Sequence, residues 1–265
     1  MAPSSGYDTL DWYDTPLYYD IIFDKGTRTE RDFLIQCQKK FGHDASQTVL
    51  EPACGSGRLI QSFAEAGYDT YGFDANAAML QFARQRLHEA QLTAHLFEGR
   101  MERFAPPPTK VALAHCLVST FKYLQTEADA VSHLRLMADA LAPGGIYVLG
   151  FHLTDYTDSC RSRERWCEGR GKTLVTANIQ TWPADARARL EQVRSRLVVR
   201  QGRVCKKSET VWHFRTYNAR QVRALLAQVP ALQHVATFDF GYDLTAPRKL
   251  DDNQLDVVLV LRRRP

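Results

Sequence analysis

Residues 49–58 read Val49-Leu50-Glu51-Pro52-Ala53-Cys54-Gly55-Ser56-Gly57-Arg58. A short apolar run ends in an acid, passes through a glycine loop and enters a helical pattern from Leu59 to Ala66. Glycines at 55 and 57 let the backbone turn sharply and approach a ligand with no Cβ in the way. The helix that follows offers unpaired N–H groups and a positive dipole end to whatever sits in the loop. A second apolar segment, Tyr71-Gly72-Phe73, ends in Asp74, 17 residues beyond Gly57. An acid at that strand tip can accept two hydrogen bonds from ribose hydroxyls.

This pattern predicts an adenosine-containing cofactor, either a dinucleotide or S-adenosylmethionine. A dinucleotide fingerprint wants a third small residue for close helix–strand packing, and Ile60 stands there. A pyrophosphate also repels a carboxylate placed at Glu51. The methionyl end of S-adenosylmethionine carries an ammonium and a sulfonium, so the same acid attracts it. A plain turn would need only the two glycines. The preceding strand and acid, the following helix and Asp74 argue for a ligand loop.

Glu51-Pro52-Ala53-Cys54-Gly55-Ser56-Gly57 resembles motif I of the class I S-adenosylmethionine-dependent methyltransferases. Gly72-Phe73-Asp74-Ala75-Asn76-Ala77-Ala78-Met79-Leu80 resembles their ribose-binding segment. The resemblance covers residues 7–151 well and the rest loosely. It implies S-adenosyl-L-methionine as cofactor and a three-layer α/β/α Rossmann-like fold. It implies a mostly parallel sheet with an antiparallel last strand. Cofactor contacts then fall on Glu51, Ala53, Gly55, Ser56, Gly57, Asp74 and Ala75, with Met79 near the adenine. Gly99-Arg100-Met101 occupies the place where the family often has an acid on the adenine amine; Arg100 departs from that pattern. An N-terminal segment often folds over the cofactor, which nominates Tyr13 and Tyr19. Leu141-Ala142-Pro143-Gly144-Gly145 is the family's Leu-x-Pro-Gly-Gly turn.

Working outward, residues 28–41 predict a helix, and strands and helices then alternate, as a parallel sheet requires. Strands are expected at 48–52, 69–73, 93–97, 111–116 and 146–151, with helices at 57–66 and 76–90. Thr126-Glu127-Ala128-Asp129 resembles a capping box and starts a helix carrying Val131, Leu134, Met137 and Leu141, which Pro143-Gly144-Gly145 ends. Residues 173–182, 189–200 and 203–213 predict three long antiparallel strands inserted after the fifth, with Gln201-Gly202 as a hairpin turn. A helix at 219–229 and a buried strand at 255–261 complete the pattern. The expected organisation is one domain over 1–265. It has an aromatic and helical segment at 1–47 and the inserted layer at 155–217. That layer would cap the site or pair two subunits as a homodimer.

Composition is ordinary for a globular protein, with 45% hydrophobic and 24% charged residues. Met1-Ala2-Pro3-Ser4-Ser5 opens no apolar run, and no stretch approaches the ~20 apolar residues of a membrane span. No metal-ligand spacing occurs among the six cysteines, at 37, 54, 116, 160, 167 and 205. Reduced thiols in a cytoplasmic protein are therefore expected. The net charge is +4, and the cations gather after residue 160. They read as a solvated sheet face, with an anionic substrate or RNA as the alternative.

Methyl transfer from a sulfonium is a direct displacement, so alignment and water exclusion matter more than proton transfer. Should the acceptor need to lose a proton, His115 and His152, at the ends of the fourth and fifth strands, are the candidate bases. His115 is the catalytic candidate but reads first as structural or cofactor-contacting. Ser119 to Tyr123 should line the pocket, where Thr120 and Tyr123 could orient an acceptor. No Asn/Asp-Pro-Pro-aromatic motif follows the fourth strand, and His115-Cys116-Leu117 lacks the Pro-Cys of cytosine-C5 enzymes. A small-molecule acceptor, methylated on N or O, is the leading expectation. The alternatives are an RNA or protein methyltransferase using the Arg-rich strands, and a non-catalytic cofactor-binding protein.

Overall fold

The computed structural model describes residues 6–265. Its elements run β1 (Asp8–Thr9), α1 (Pro16–Phe23), α2 (Thr27–Phe41), β2 (Thr48–Pro52), α3 (Arg58–Glu65), β3 (Asp69–Asp74), α4 (Ala77–Glu89), β4 (His95–Glu98), β5 (Val111–Cys116), α5 (Glu127–Ala140) and β6 (Leu141–His152). After these come β7 (Ser162–Arg170), β8 (Thr173–Thr181), β9 (Leu190–Gln201), β10 (Val204–Arg215), α6 (Ala219–Ala227), β11 (Leu232–Phe238) and β12 (Asp256–Arg263). Short 3-10 turns cover Trp12–Asp14 and Thr120–Tyr123.

Seven strands form the main sheet in the order β11-β12-β6-β5-β2-β3-β4. β2, β3, β4, β5 and β6 pair in parallel, and β12 runs antiparallel to both β6 and β11. Every residue of β5 is buried, as a strand covered on both faces requires. α2, α3 and α4 cover one face; α5 and α6 pack into the core cluster on the other. This is the α/β/α Rossmann-like sandwich the sequence implies. Helix starts are set locally. Asn76 accepts from the Met79 N–H, Thr126 accepts from the Asp129 N–H, and Asn218 and Gln221 form a capping box.

The inserted layer is a second sheet, β1-β10-β9-β8-β7. Its inner face buries Val175, Ala177, Val193, Leu197 and Val199 against Trp12, Ile21 and Ile22 of the N-terminal segment. Arg163, Arg165, Arg194 and Arg196 alternate with these positions and stand on the outer face. Four long antiparallel strands form here rather than three. β7 escaped the sequence pattern because only Trp166 and Glu168 along it are even half-buried, so no apolar alternation marks it. Charged residues are also what an edge strand carries. β11 was not anticipated either. β6 begins at Leu141 instead of residue 146, because Leu141 pairs with Val111 before a register shift. Pro143-Gly144-Gly145 therefore lies within an extended segment, and the helix has already ended at Ala140. Among the described residues no helix is long and apolar enough to cross a membrane.

Candidate cofactor and acceptor site

The loop between β2 and α3 sits at the carboxyl edge of the parallel strands, where such sheets bind ligands. Ala53, Gly55 and Gly57 take φ of 52°, 54° and 72°. Gly57 must be glycine on packing grounds too, since a Cβ there would lie 2.7 Å from the Ala83 Cβ of α4. The loop is tied to β3 through Asp74. Its Oδ2 accepts from the Gly55 N–H at 2.8 Å and its Oδ1 from the Asn76 N–H at 2.8 Å. Burial pushes the Asp74 carboxyl up, while the N–H groups of Asn76, Gly55 and Ala75 pull it back down.

Glu51 is the electrostatic centre. Burial pushes its carboxyl up to about 8, against the opposing pull of the Arg58 guanidinium. Arg58 is itself engaged, its Nη2 lying 2.6 Å from Glu30 Oε2. Among the described residues Glu51 Oε2 has no hydrogen-bond partner, although it is buried. His115 Nδ1 lies 3.9 Å from Glu51 Oε1, yet burial lowers that imidazole to about 3. The two therefore face each other as neutral groups between those limits, not as an ion pair. Among the described residues neither His115 nitrogen has a partner, and the ring stacks on Phe63 at 5.4 Å. A buried carboxyl with an unsatisfied oxygen is costly unless something cationic or hydrogen-bonding completes it. An ammonium or sulfonium fits that need, and the donors around Asp74 leave its outer lone pairs for a ribose.

Tyr19 and Phe23 of α1 close down on the loop, leaving a cavity of about 40 Å³ bounded also by Glu51, Gly55, Val118 and Thr120. A wider cleft of about 940 Å³ opens beside Ala75, Gly99, Arg100, Glu102 and Ser132. Glu51 to Ser56 and Arg58 border the small cavity, Ala75, Gly99 and Arg100 border the cleft, and Gly57, Asp74 and Met101 line neither. Arg100 is turned outward onto Glu102 at 2.5 Å. Met101 is packed in the core, its carbonyl 3.0 Å from His133 Nδ1. Met79 is fully buried on α4. His115 points beneath Glu51 and is not on the cavity wall. His152 is exposed and lines neither space, its Nδ1 2.7 Å from Asp256 Oδ1.

Tyr13 and Tyr123 meet in a hydrogen bond of 2.7 Å between their hydroxyls, and burial pushes both phenols up, so both are neutral. Trp212 and Phe214 of β10 stack around Tyr123, and Trp12 stacks on Trp212 at 5.2 Å. The indole N–H of Trp12 faces the two tyrosines, and that of Trp212 is buried without a partner among the described residues. Trp212 and Phe214 were not singled out in the sequence, because their role depends on the inserted sheet folding back over the loop. Ser119, already expected at the pocket, takes φ 62°, whereas Val118 beside it, at φ 55°, was missed for another reason. Left-handed backbone at a β-branched residue has no sequence signature, though such strain gathers at functional loops.

Residues 49–145 match the family model described as "Methyltransferase domain". "Putative methyltransferase YqeM" of Bacillus subtilis is 29% identical over 104 residues, 39% of this chain and 42% of that protein. "dTDP-3-amino-3,4,6-trideoxy-alpha-D-glucopyranose N,N-dimethyltransferase" of Streptomyces venezuelae is 30% identical over the same shares. The match thus spans less than half the length of these relatives. In structure, an S-adenosylmethionine-dependent methyltransferase from Clostridium acetobutylicum superposes with a TM-score of 0.76 at 17% identity, covering 96% of this chain and 99% of that one. Streptomyces venezuelae DesVI gives 0.74 at 18% identity, covering 98% and 100%. By sequence the similarity to a methyltransferase domain is confined to residues 49–145, and the chain as a whole takes the fold of these solved methyltransferases.

Proposed function

We propose that this chain is an S-adenosylmethionine-dependent methyltransferase that methylates N or O of a small-molecule acceptor. The observation that carries the reading is the buried, unsatisfied Glu51 carboxyl beneath a Gly55/Gly57 loop tied to Asp74. The bound cofactor supplies an already activated methyl group. Glu51 holds the cationic methionyl end, and Asp74 holds the ribose. Tyr13, Tyr19 and Phe23 exclude water from the loop. The Tyr13–Tyr123 hydroxyl pair and the Trp212 indole N–H are neutral donors that can orient an acceptor's oxygen or nitrogen without charging it. No base is built into this wall, which suits an amine acceptor that arrives deprotonated. Two curated relatives are named as N,N-dimethyltransferases of dTDP-linked amino sugars, so amino sugars are the first acceptors to try.

The outer cations support the small-molecule reading. They stand on the face of the inserted sheet opposite the one that packs on the N-terminal segment, so a macromolecule held there would lie away from the loop. Calorimetry with S-adenosylhomocysteine tests the cofactor assignment, and micromolar binding lost in Asp74→Ala is expected. Unchanged affinity in that variant would refute the ribose role. A methyl-transfer panel of amines, phenols and carboxylates tests the reaction; cofactor binding with no transfer to any of them would favour a non-catalytic protein.

A further inference from the structure

Asp20 is the one charged residue of α1, set in Pro16-Leu17-Tyr18-Tyr19-Asp20-Ile21-Ile22-Phe23, and it is fully buried. Three separate elements converge on its carboxylate. Ser56 Oγ donates to Oδ1 at 2.7 Å from the cofactor loop itself, between the two glycines. Arg170 Nη1 donates to Oδ2 at 2.7 Å from the edge strand β7. Arg86 of α4 forms an ion pair with the same oxygen. Tyr19, one residue earlier, borders the small cavity, and its Cε1 lies 3.8 Å from where a Gly55 Cβ would be. A buried carboxylate is tolerated only when paired and fully hydrogen-bonded, and this one is held by two guanidiniums and a hydroxyl. Ile21 and Ile22 of the same helix pack into the core of the inserted sheet, while the other ion pairs nearby are weaker. Arg170 also reaches exposed Asp24 at 3.1 Å, and Lys25 reaches Glu168 at 3.5 Å, both in solvent where such pairs contribute little.

We propose that Asp20 is a positioning residue that locks α1 onto the cofactor loop through Ser56 and, through Arg170, couples that closure to the inserted sheet. This rests on the cofactor reading above. With α1 docked, the space over the loop is only about 40 Å³, room for a few waters and not for a nucleoside. Cofactor entry and exit therefore require α1 to lift, and lifting it breaks the bonds at Asp20. The inserted sheet is thereby a participant in cofactor exchange, since its Arg170 holds one side of the lock.

The test compares wild type, Asp20→Asn and Arg170→Gln by stopped-flow release of S-adenosylhomocysteine. Arg170 is partly exposed and Asp20 fully buried, so the Arg170 variant is the one expected to keep the fold. Loss of one charge-assisted hydrogen bond predicts release on the order of 10-fold faster in Arg170→Gln, and faster still in Asp20→Asn if that variant folds. KM for the cofactor should rise while kcat at saturation does not follow, a split that a merely weakened fold would not give. Wild-type release rates in Arg170→Gln would overturn the proposal. A second reading works without cofactor: deuterium exchange at 16–23 and 53–57 should quicken in Arg170→Gln. Should wild type not bind S-adenosylhomocysteine, the functional reading fails, and this exchange measurement alone decides whether the lock exists.

Discussion

Burial holds the Glu51 carboxyl at about 8, so without a cation beside it the group keeps its proton at neutral pH. A bound ammonium or sulfonium favours the carboxylate and expels that proton. Cofactor binding should therefore release a proton below pH 8, and affinity should rise with pH until about 8 and then level off. Calorimetry in buffers of different ionisation enthalpy reads the proton directly, and Glu51→Gln should abolish both effects. The stability of the ligand-free protein follows the same group with its own sign. A carboxyl raised in the folded state stabilises fully below its unfolded value of about 4.3, and that contribution is lost as pH rises through 8. Glu51→Gln should flatten this part of the pH–stability curve. His115, lowered to about 3, has the opposite sign: its contribution is present above about 6.5 and is lost as pH falls toward 3. At the acceptor wall, Tyr123→Phe removes one hydroxyl of the Tyr13 pair and should lower kcat on the order of 10-fold while cofactor affinity holds. Equal loss of both would make Tyr123 a part of the cofactor site instead.

The turn from β2 into α3 shows how an element is fixed from two directions. Gly57 is left-handed and also lies against Ala83, so Gly57→Ala combines backbone strain with a clash between α3 and α4. It should cost about 1–3 kcal/mol in chemical denaturation. Gly55→Ala meets only an ordinary contact at 3.8 Å and should cost less. Both glycines were legible in the sequence, as were β2, β3, β5, the helices between them and β12, because each combines an apolar period with a punctuating residue. β7 was not legible, since its charge obeys solvent and not a core. The aromatic wall was legible only in part: Tyr13, Thr120 and Tyr123 lie near recognisable landmarks, whereas Trp212 and Phe214 reach the site through pairing of β10 with β9. Asp20 was not singled out in the sequence, because only its three donors from distant segments mark it.

At the scale of the molecule, two sheets with separate cores meet at the N-terminal segment. Amide exchange should be slowest in β5, β6 and β12, whose residues are almost all buried, and faster in β7, which is exposed along most of its length. S-adenosylhomocysteine should slow α1 and β7 together, and slowing of α1 alone would separate the two sheets functionally. The placement of β12 has a consequence for how the protein assembles. His152 and Asp256, register partners where β6 meets β12, are 104 residues apart in sequence. Closing so long a loop directly costs on the order of 4 kcal/mol in chain entropy, whereas prior folding of the β8–β9–β10 hairpins shortens the distance to be closed. Until β12 arrives, β6 presents an open apolar edge to its surroundings. During synthesis the chain must carry that edge unprotected through the whole inserted layer, a window in which dependence on chaperones and a tendency to aggregate are expected to concentrate.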